Sequence, residues 1–381
     1  MNETVRIMFA LLRFVLKGEP SGIKSLTEEE GKALYALSKK HDMAHLLGYS
    51  IEKEKIEVPE NIKNAFRKQK MTAVYRSSIM EEEYKKITEL FEAEGIEYIP
   101  LKGAVIRNYY PESWMRTSCD IDILVKEEKL EKARTALIEK LSYSTEEKVN
   151  YHDISMYSGN GVHLELHFSI KESMENIDRL LSLSWDYAEK DAGTRFAFKK
   201  EFFMFHLISH MSYHFVGGGC GIRQFIDLYL LRGKLEFEEN ILREYLGLCK
   251  IEKFYDEVIR LSDIWLGNTE HTALTHKMEE FIINGGVYGN ETQHIAIKQK
   301  QNGGKAGYIL RRLFMPKKSL EILFPSLKKH PFLYPFFTVA RWTKLLKMDV
   351  KMRVEREISI NSNIAEEDSD EVSLLLSELG I

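Results

Sequence analysis

The segment from Ile96 to Ile170 alternates short strand-like apolar runs with helical ones, and this change of period constrains the fold more than any other feature of the chain. "IEYIPL" has the length and composition of a strand, and "KGAVIRNYY" opens a short helix. "DIDILV" is a second strand, and "KEEKLEKARTALIEKL" spaces its apolar residues as a helix does. "YSTEEKVNYHDISMYS" and "GVHLELHFSI" then alternate like strands, separated by the turn residues Gly159, Asn160 and Gly161. Strand, helix, strand, helix, strand, strand predicts a small mixed sheet covered by helices, an α+β core.

The flanks read as helices. Thr27 followed by Glu30 has the spacing of a capping box ahead of Leu34, Leu37 and Leu46. A long polar-apolar helix runs up to Gly95, a residue suited to ending one. At the N-terminus, Glu3, Arg6 and Arg13 interrupt the apolar stretch and no small-residue cleavage site follows, so it reads as an amphipathic helix rather than a signal peptide. From Phe202 the pattern is helical again, with "GIRQFIDLYLLRGK" entered after Gly217, Gly218 and Gly219. The expected divisions are an N-terminal helical region over 1–94, the α/β core over 95–190, a C-terminal helical domain over 191–360 and a loosely held acidic tail over 361–381.

A net charge of −4 over 381 residues argues against a general polyanion binder. The three cysteines are odd in number and widely separated, which excludes a disulfide framework or a cysteine zinc site and suits a reducing cytoplasm. No window of about 18 uncharged apolar residues is present, so no membrane span is expected.

Asp120 and Asp122 open the strand "DIDILV" and, two residues apart, point to the same face. Two carboxylates side by side on a strand that belongs in a core repel unless a positive charge lies between them. A divalent cation, Mg²⁺ or Mn²⁺, fits, since such ions take carboxylate and phosphate oxygens. Glu165 in "HLELHF" is a third acid on an apolar strand, and His167 shares its face as a candidate to orient a phosphate or a carboxylate. Upstream, Lys102 and Gly103 lie between strand and helix, where a glycine admits a phosphate to the backbone and the lysine adds charge. Arg116, in the loop before the aspartates, is a candidate phosphate clamp.

This order of strand, glycine turn, short helix, Asp-x-Asp strand and later acid strand resembles the polymerase-beta-type nucleotidyltransferase superfamily. "LKGAVIRNYYP", "CDIDILV", "LELHF", "GIRQFIDLYLL" and "LFPSLKKHPFLYPFFTVARW" are similar to its branch of uncharacterised nucleotidyltransferases, in the same order. The wider superfamily has Gly-Ser or Gly-Gly close before Asp-x-Asp, where this chain has Lys102-Gly103 well upstream. The resemblance implies an enzyme that binds an NTP, ATP for preference, with magnesium, and moves its nucleotidyl group to a hydroxyl of an unidentified acceptor. It implies that Asp120 and Asp122 bridge metal, that Glu165 holds metal or takes the acceptor's proton, and that Lys102, Gly103 and Arg116 steady the triphosphate.

Other features stand beside this reading. His206, His210 and His214 recur every fourth residue along one helix face; the acid of a zinc motif is missing, and packed histidines are the favoured reading over a zinc hydrolase. Arg223 is a candidate nucleotide contact at a glycine-fed helix start, and Asp227, one turn on, is its candidate ion-pair partner. Residues 291–358 hold 15 Lys/Arg against 5 Asp/Glu, which leaves RNA contact open, as in a toxin-like tRNA-modifying enzyme, though a solvated helix face is favoured. An inactive nucleotide- or partner-binding module is the remaining alternative, and the intact carboxylate trio argues against it.

Overall fold

The structure, a computed structural model, describes residues 2–145, 152–287, 289–343 and 348–381. Four helices come first: α1 (Glu3–Lys17), α2 (Glu28–Lys40), α3 (Ala44–Lys53) and the long α4 (Glu60–Glu94). The local signals explain their ends. Thr27 and Glu30 form the reciprocal capping box on α2, and Gly95 ends α4 in the left-handed region at φ 61°.

The sheet follows. β1 (Tyr98–Pro100), α5 (Lys102–Ile106), β2 (Asp120–Val125), α6 (Leu130–Leu141), β3 (Ser144–Thr145), β4 (Asp153–Tyr157) and β5 (His163–His167) match the expected order. The two ends of the strand expected over 143–158 are therefore seen, as β3 and β4, while its middle, 146–151, lies outside the described residues. Gly161, at φ 77°, completes the turn between β4 and β5.

After α7 (Glu175–Leu181) a hairpin of β6 (Ala188–Ala192) and β7 (Arg195–Phe198) was not foreseen. The boundary expected at 190 falls inside β6, and the sheet continues to Phe198. β6 is mostly charged and solvent-facing and β7 is a run of only four residues, too short to signal a strand by alternation, yet β7 pairs in parallel with β1 through Tyr98 and Arg195. Among the described residues seven strands lie in the order β3-β4-β5-β2-β1-β7-β6. β2, in the middle, pairs antiparallel with β1 and parallel with β5.

The helices that follow are α8 (Lys200–Gly217), α9 (Ile222–Lys234), α10 (Glu239–Cys249), α11 (Glu252–Leu266), α12 (Ala273–Gly285), α13 (Glu291–Gln301), α14 (Lys305–Leu313), α15 (Lys317–Leu323), α16 (Ser326–Lys329), α17 (Tyr334–Thr343), α18 (Met348–Asn363) and α19 (Glu366–Leu379). Two cores result. Ile121, Ile123 and Val125 join α4 and α6 on one face of the sheet, with Ile87, Phe91 and Leu137. Ile99, Leu101 and Leu124 join a larger cluster that unites helices from both ends of the chain. Phe9 of α1 stacks on Trp265 of α11 at 4.7 Å, and Arg13 donates to the Trp265 carbonyl at 3.0 Å, so the two helical regions share one core.

The C-terminal segment is not a loose tail. Its acidic start is the first turn of α19, and Leu375, Leu376 and Leu379 are buried in the larger core. Within the basic stretch 291–358, Arg312 pairs with Glu357 and Arg356 with Glu291 at 3.0 Å; four of its residues, 344–347, lie outside the described residues. No helix among the described residues is long and apolar enough to cross a membrane.

Candidate active site

The period of two in "DIDILV" separates β2 into an apolar face and an acidic one. Ile121, Ile123 and Val125 enter the α4–α6 core, which leaves Asp120 and Asp122 on the face toward the helical half of the molecule. The parallel register of β2 with β5 then sets Asp122 opposite Glu165, Asp120 opposite His163 and Leu124 opposite His167. Ligand atoms of Asp122, Glu165 and His167 lie within 4.8 Å of one another, as do those of Asp120, His163 and Glu165. Asp120, Asp122, Glu165 and His167 form one wall of a cavity of about 350 Å³. The opposite wall includes His206, His210 and His214 of α8, with Arg223 and Asp227 of α9.

The charges in this cavity are unevenly matched. Lys102 Nζ lies 3.6 Å from Asp122 Oδ1, and His167 Nε2 donates to the same oxygen at 3.1 Å and to Glu165 Oε2 at 3.3 Å. Burial works against the Asp122 carboxylate, but Lys102 and His167 outweigh it and hold its pKa far below the usual range. Burial also opposes charge on His167, and its bonds to Asp122 and Glu165 reverse this, lifting it to about 9. The ammonium of Lys102 loses solvent too, yet Asp122, Glu172, Glu165 and Asp120 together raise it above its ordinary value.

Asp120 is the exception. Burial, with the charges of Asp122 and Glu165 beside it, pushes its carboxyl up to about 6. Its carboxylate has no hydrogen bond or ion pair among the described residues. A crowded carboxylate lacking a cation, beside two acids and two imidazoles, is a donor set that fits a divalent ion with oxygen preference.

Several expected residues take other partners. Arg116, the candidate phosphate clamp, is spent on Asp227: its Nε donates to Oδ1 at 3.2 Å and its Nη2 to Oδ2 at 2.9 Å, while Nη1 donates to the Thr117 carbonyl at 3.0 Å. Tyr110 adds a third bond to Asp227 Oδ1 at 2.7 Å. This buried cluster locks α9 to the loop before β2. Arg223 therefore does not pair with Asp227; its Nη1 donates to the Thr117 carbonyl at 3.0 Å and reaches Asp42 at 3.4 Å. Gly103 is closely packed: a Cβ there would stand 3.3 Å from Arg116 Nη1 and from Ser118, tight enough that these side chains would have to give way slightly. The residue in positive φ at this turn is Lys102, at 35°.

The histidine helix faces the cavity, held by an acid that sequence reasoning missed. His210 Nδ1 lies 2.6 Å from Glu172 Oε1, and His214 Nε2 lies 3.0 Å from His210 Nε2. Burial, joined by the charge of Lys102, lowers His206 to about 3, and burial beside His210 takes His214 to about 3, so both are neutral near pH 7. Among the described residues the groups with metal-ligating geometry lie on β2 and β5, not on this helix. Glu172 sits in an irregular loop and carried no periodic signal; His163 was legible, since His163, Glu165 and His167 alternate onto one face. His152 stacks on His167 with ring centroids 5.6 Å apart.

No curated protein and no solved structure matches the chain. Residues 27–267, which span the second helix, the whole sheet and the cavity, match the family described as uncharacterised nucleotidyltransferase, and the chain belongs to that family.

Proposed function

We propose that the cavity transfers a nucleotidyl group from a magnesium-bound NTP, with ATP the favoured donor, to a hydroxyl of an acceptor. The observation that carries this reading is the register of β2 and β5, which sets Asp122 beside Glu165 with Asp120 on the same face and Lys102 at 3.6 Å. Mg²⁺ or Mn²⁺ would be held by Asp120, Asp122 and Glu165, and when bound it neutralises triphosphate charge as the reaction proceeds.

The chain's own groups do the rest. Lys102 and the Gly103 turn face the triphosphate, with the Lys102 ammonium available to its oxygens. His167, protonated near neutral pH, ties Asp122 to Glu165 and keeps both aimed inward. Glu165 has 27% of its side chain exposed against 7% for Asp122, so it is the acid that can meet an acceptor and take its hydroxyl proton. The hydroxyl oxygen attacks the α-phosphorus, the bond from that phosphorus to the β-phosphate oxygen breaks, and pyrophosphate leaves. Arg116, through Asp227, fixes the position of α9 and so the width of the cavity. Much of the acceleration then comes from positioning and from charges already in place.

The test is incubation with α-labelled ATP, CTP, GTP or UTP, Mg²⁺ and cell extract, followed by separation of labelled product and assay of pyrophosphate. Asp120→Asn and Asp122→Asn should each lower labelling by at least about 10²-fold while the fold is retained. Full labelling by either variant would rule the reading out.

A further inference from the structure

A second cavity, of about 180 Å³, adjoins the first. The two share Arg116, Ser118, Cys119 and Arg223, so the segment that leads into Asp120 is the partition between them. The second cavity is walled on its far side by α2, α3 and α4. Its lining is strongly cationic. Lys39, Arg76, Arg107, Arg116 and Arg223 face one acid, Asp42.

The pairings leave cations over. Arg116 is satisfied by Asp227. Asp42 is engaged by Thr117 Oγ1 at 2.7 Å and by Arg223 Nη1 at 3.4 Å. Arg107 is half-buried and has no ion pair among the described residues; its Nε donates to the Gly103 carbonyl at 3.0 Å and its Nη2 reaches Ser118 Oγ at 3.5 Å, which leaves Nη1 unbonded. Arg223 Nε is buried and has no hydrogen-bond partner among the described residues. Guanidinium donors without a partner in a small cavity are the chemistry that recognises phosphate, through several N–H groups in a fixed fork.

We propose that this second cavity binds the phosphate of a phosphorylated small-molecule acceptor, with Arg107 and Arg223 as its donors, and so presents the acceptor's hydroxyl across the Ser118–Cys119 partition to the carboxylates; this rests on the nucleotidyl-transfer reading above. The volume is about half that of the carboxylate cavity, enough for a phosphate and a few further atoms but not for a nucleoside triphosphate. The triphosphate belongs with Lys102 in the larger cavity. The order of events follows from this arrangement: a phosphate group anchors one end of the acceptor, and its hydroxyl end reaches Glu165.

Cys119 supplies a reporter. It lines both cavities and is exposed, while Cys220 and Cys249 are buried, so a thiol reagent reads one site. Inorganic phosphate without nucleotide should slow labelling of Cys119. Arg107→Gln or Arg223→Gln should weaken that protection at least tenfold, and Asp120→Asn should leave it intact. Mg²⁺–ATP protection should show the reverse, surviving Arg107→Gln and weakening in Asp120→Asn. Phosphate protection indifferent to both arginines, or ATP protection lost in Arg107→Gln as fully as in Asp120→Asn, would overturn the assignment. ATP protection that survives Asp120→Asn would instead sink the nucleotidyl-transfer reading.

A free phosphate ion and a phosphorylated acceptor share this chemistry, and a second arm separates them. The small-molecule fraction of a cell extract is treated with phosphatase, cleared of it, and offered with α-labelled ATP. Loss of labelled product relative to the untreated fraction supports a phosphate-bearing acceptor. Unchanged labelling shows that the acceptor needs no phosphate and overturns the proposal.

Discussion

His167 Nε2 bonds both Asp122, at 3.1 Å, and Glu165, at 3.3 Å, and so ties two neighbouring parallel strands together at the acids they present. An imidazolium between two carboxylates sets their orientation as a supporting residue does around a metal. His167→Ala should therefore weaken Mn²⁺ binding by roughly 10- to 100-fold while both acids remain. A Mn²⁺ titration followed by calorimetry or electron paramagnetic resonance measures this. Unaltered affinity would show that the strands aim the acids without help.

Asp120 should cost the metal-free protein stability at neutral pH. Its folded pKa of about 6 is above its ordinary 3.8. The folded state then binds the extra proton between these values, so the cost is absent below about 3.8, grows as pH rises, and is complete above about 6. Asp120→Asn should raise the stability of EDTA-treated protein at pH 7.5 by something on the order of 1–3 kcal/mol, and the gain should vanish near pH 4. Urea unfolding at the two pH values tests it. Magnesium should narrow the gap at pH 7.5 by stabilising the wild type alone.

The Arg116–Asp227 pair is buried at both ends, with side-chain exposures of 8% and 5%. Removing one partner leaves a buried, uncompensated charge, so Asp227→Leu should destabilise by about 3–5 kcal/mol. Arg116→Met combined with Asp227→Leu should be milder than Asp227→Leu alone, because no lone charge then remains. Tyr110→Phe, which deletes the 2.7 Å bond to Asp227, should cost about 1–3 kcal/mol. Denaturant unfolding of wild type, Arg116→Met, Asp227→Leu and the double variant gives the coupling energy of the pair, with Tyr110→Phe measured beside them.

Acid should unfold the protein partly through its buried histidines. Burial lowers His41 to about 4 from an ordinary 6.5, while its Nε2 donates to the Ile283 carbonyl at 3.2 Å. The unfolded chain binds the proton more readily, so stability is full above about 6.5 and falls as pH drops toward 4. His206 and His214 act in the same direction. His167 has the opposite sign: its pKa is raised, so its contribution is present below about 6.5 and lost as pH climbs through about 9. His41→Gln should remove roughly 2 kcal/mol of the stability lost between pH 7.5 and pH 5. Equal losses in variant and wild type would contradict the assignment.

Much of the candidate site was legible because it depends on short-range geometry. A period of two put Asp120 with Asp122, and Glu165 with His167, on shared faces before any fold was known. The same local rules placed the capping box at Thr27, the end of α4 at Gly95 and the turn at Gly161. Their physics acts over a few residues, so the sequence alone determines it. The β6–β7 hairpin escaped the reading because β6 is mostly charged and solvent-facing and β7 is only four residues long, and α19 was mistaken for a tail because its acidic first turn precedes the leucines that bury it.

What only the tertiary structure decided is which distant groups meet. Arg116 finds Asp227, 111 positions further along the chain, and that match redirects Arg223 to Thr117 and Asp42. The loop acid Glu172 reaches His210, 38 residues away, only because α8 packs against the sheet's open face. The register that sets Asp122 against Glu165 depends on a parallel pairing that no local pattern specifies. Long-range electrostatics and packing choose among the available partners by burial, and burial is a property of the folded chain, whereas the residues that bear the charges and the faces they occupy are written in the sequence itself.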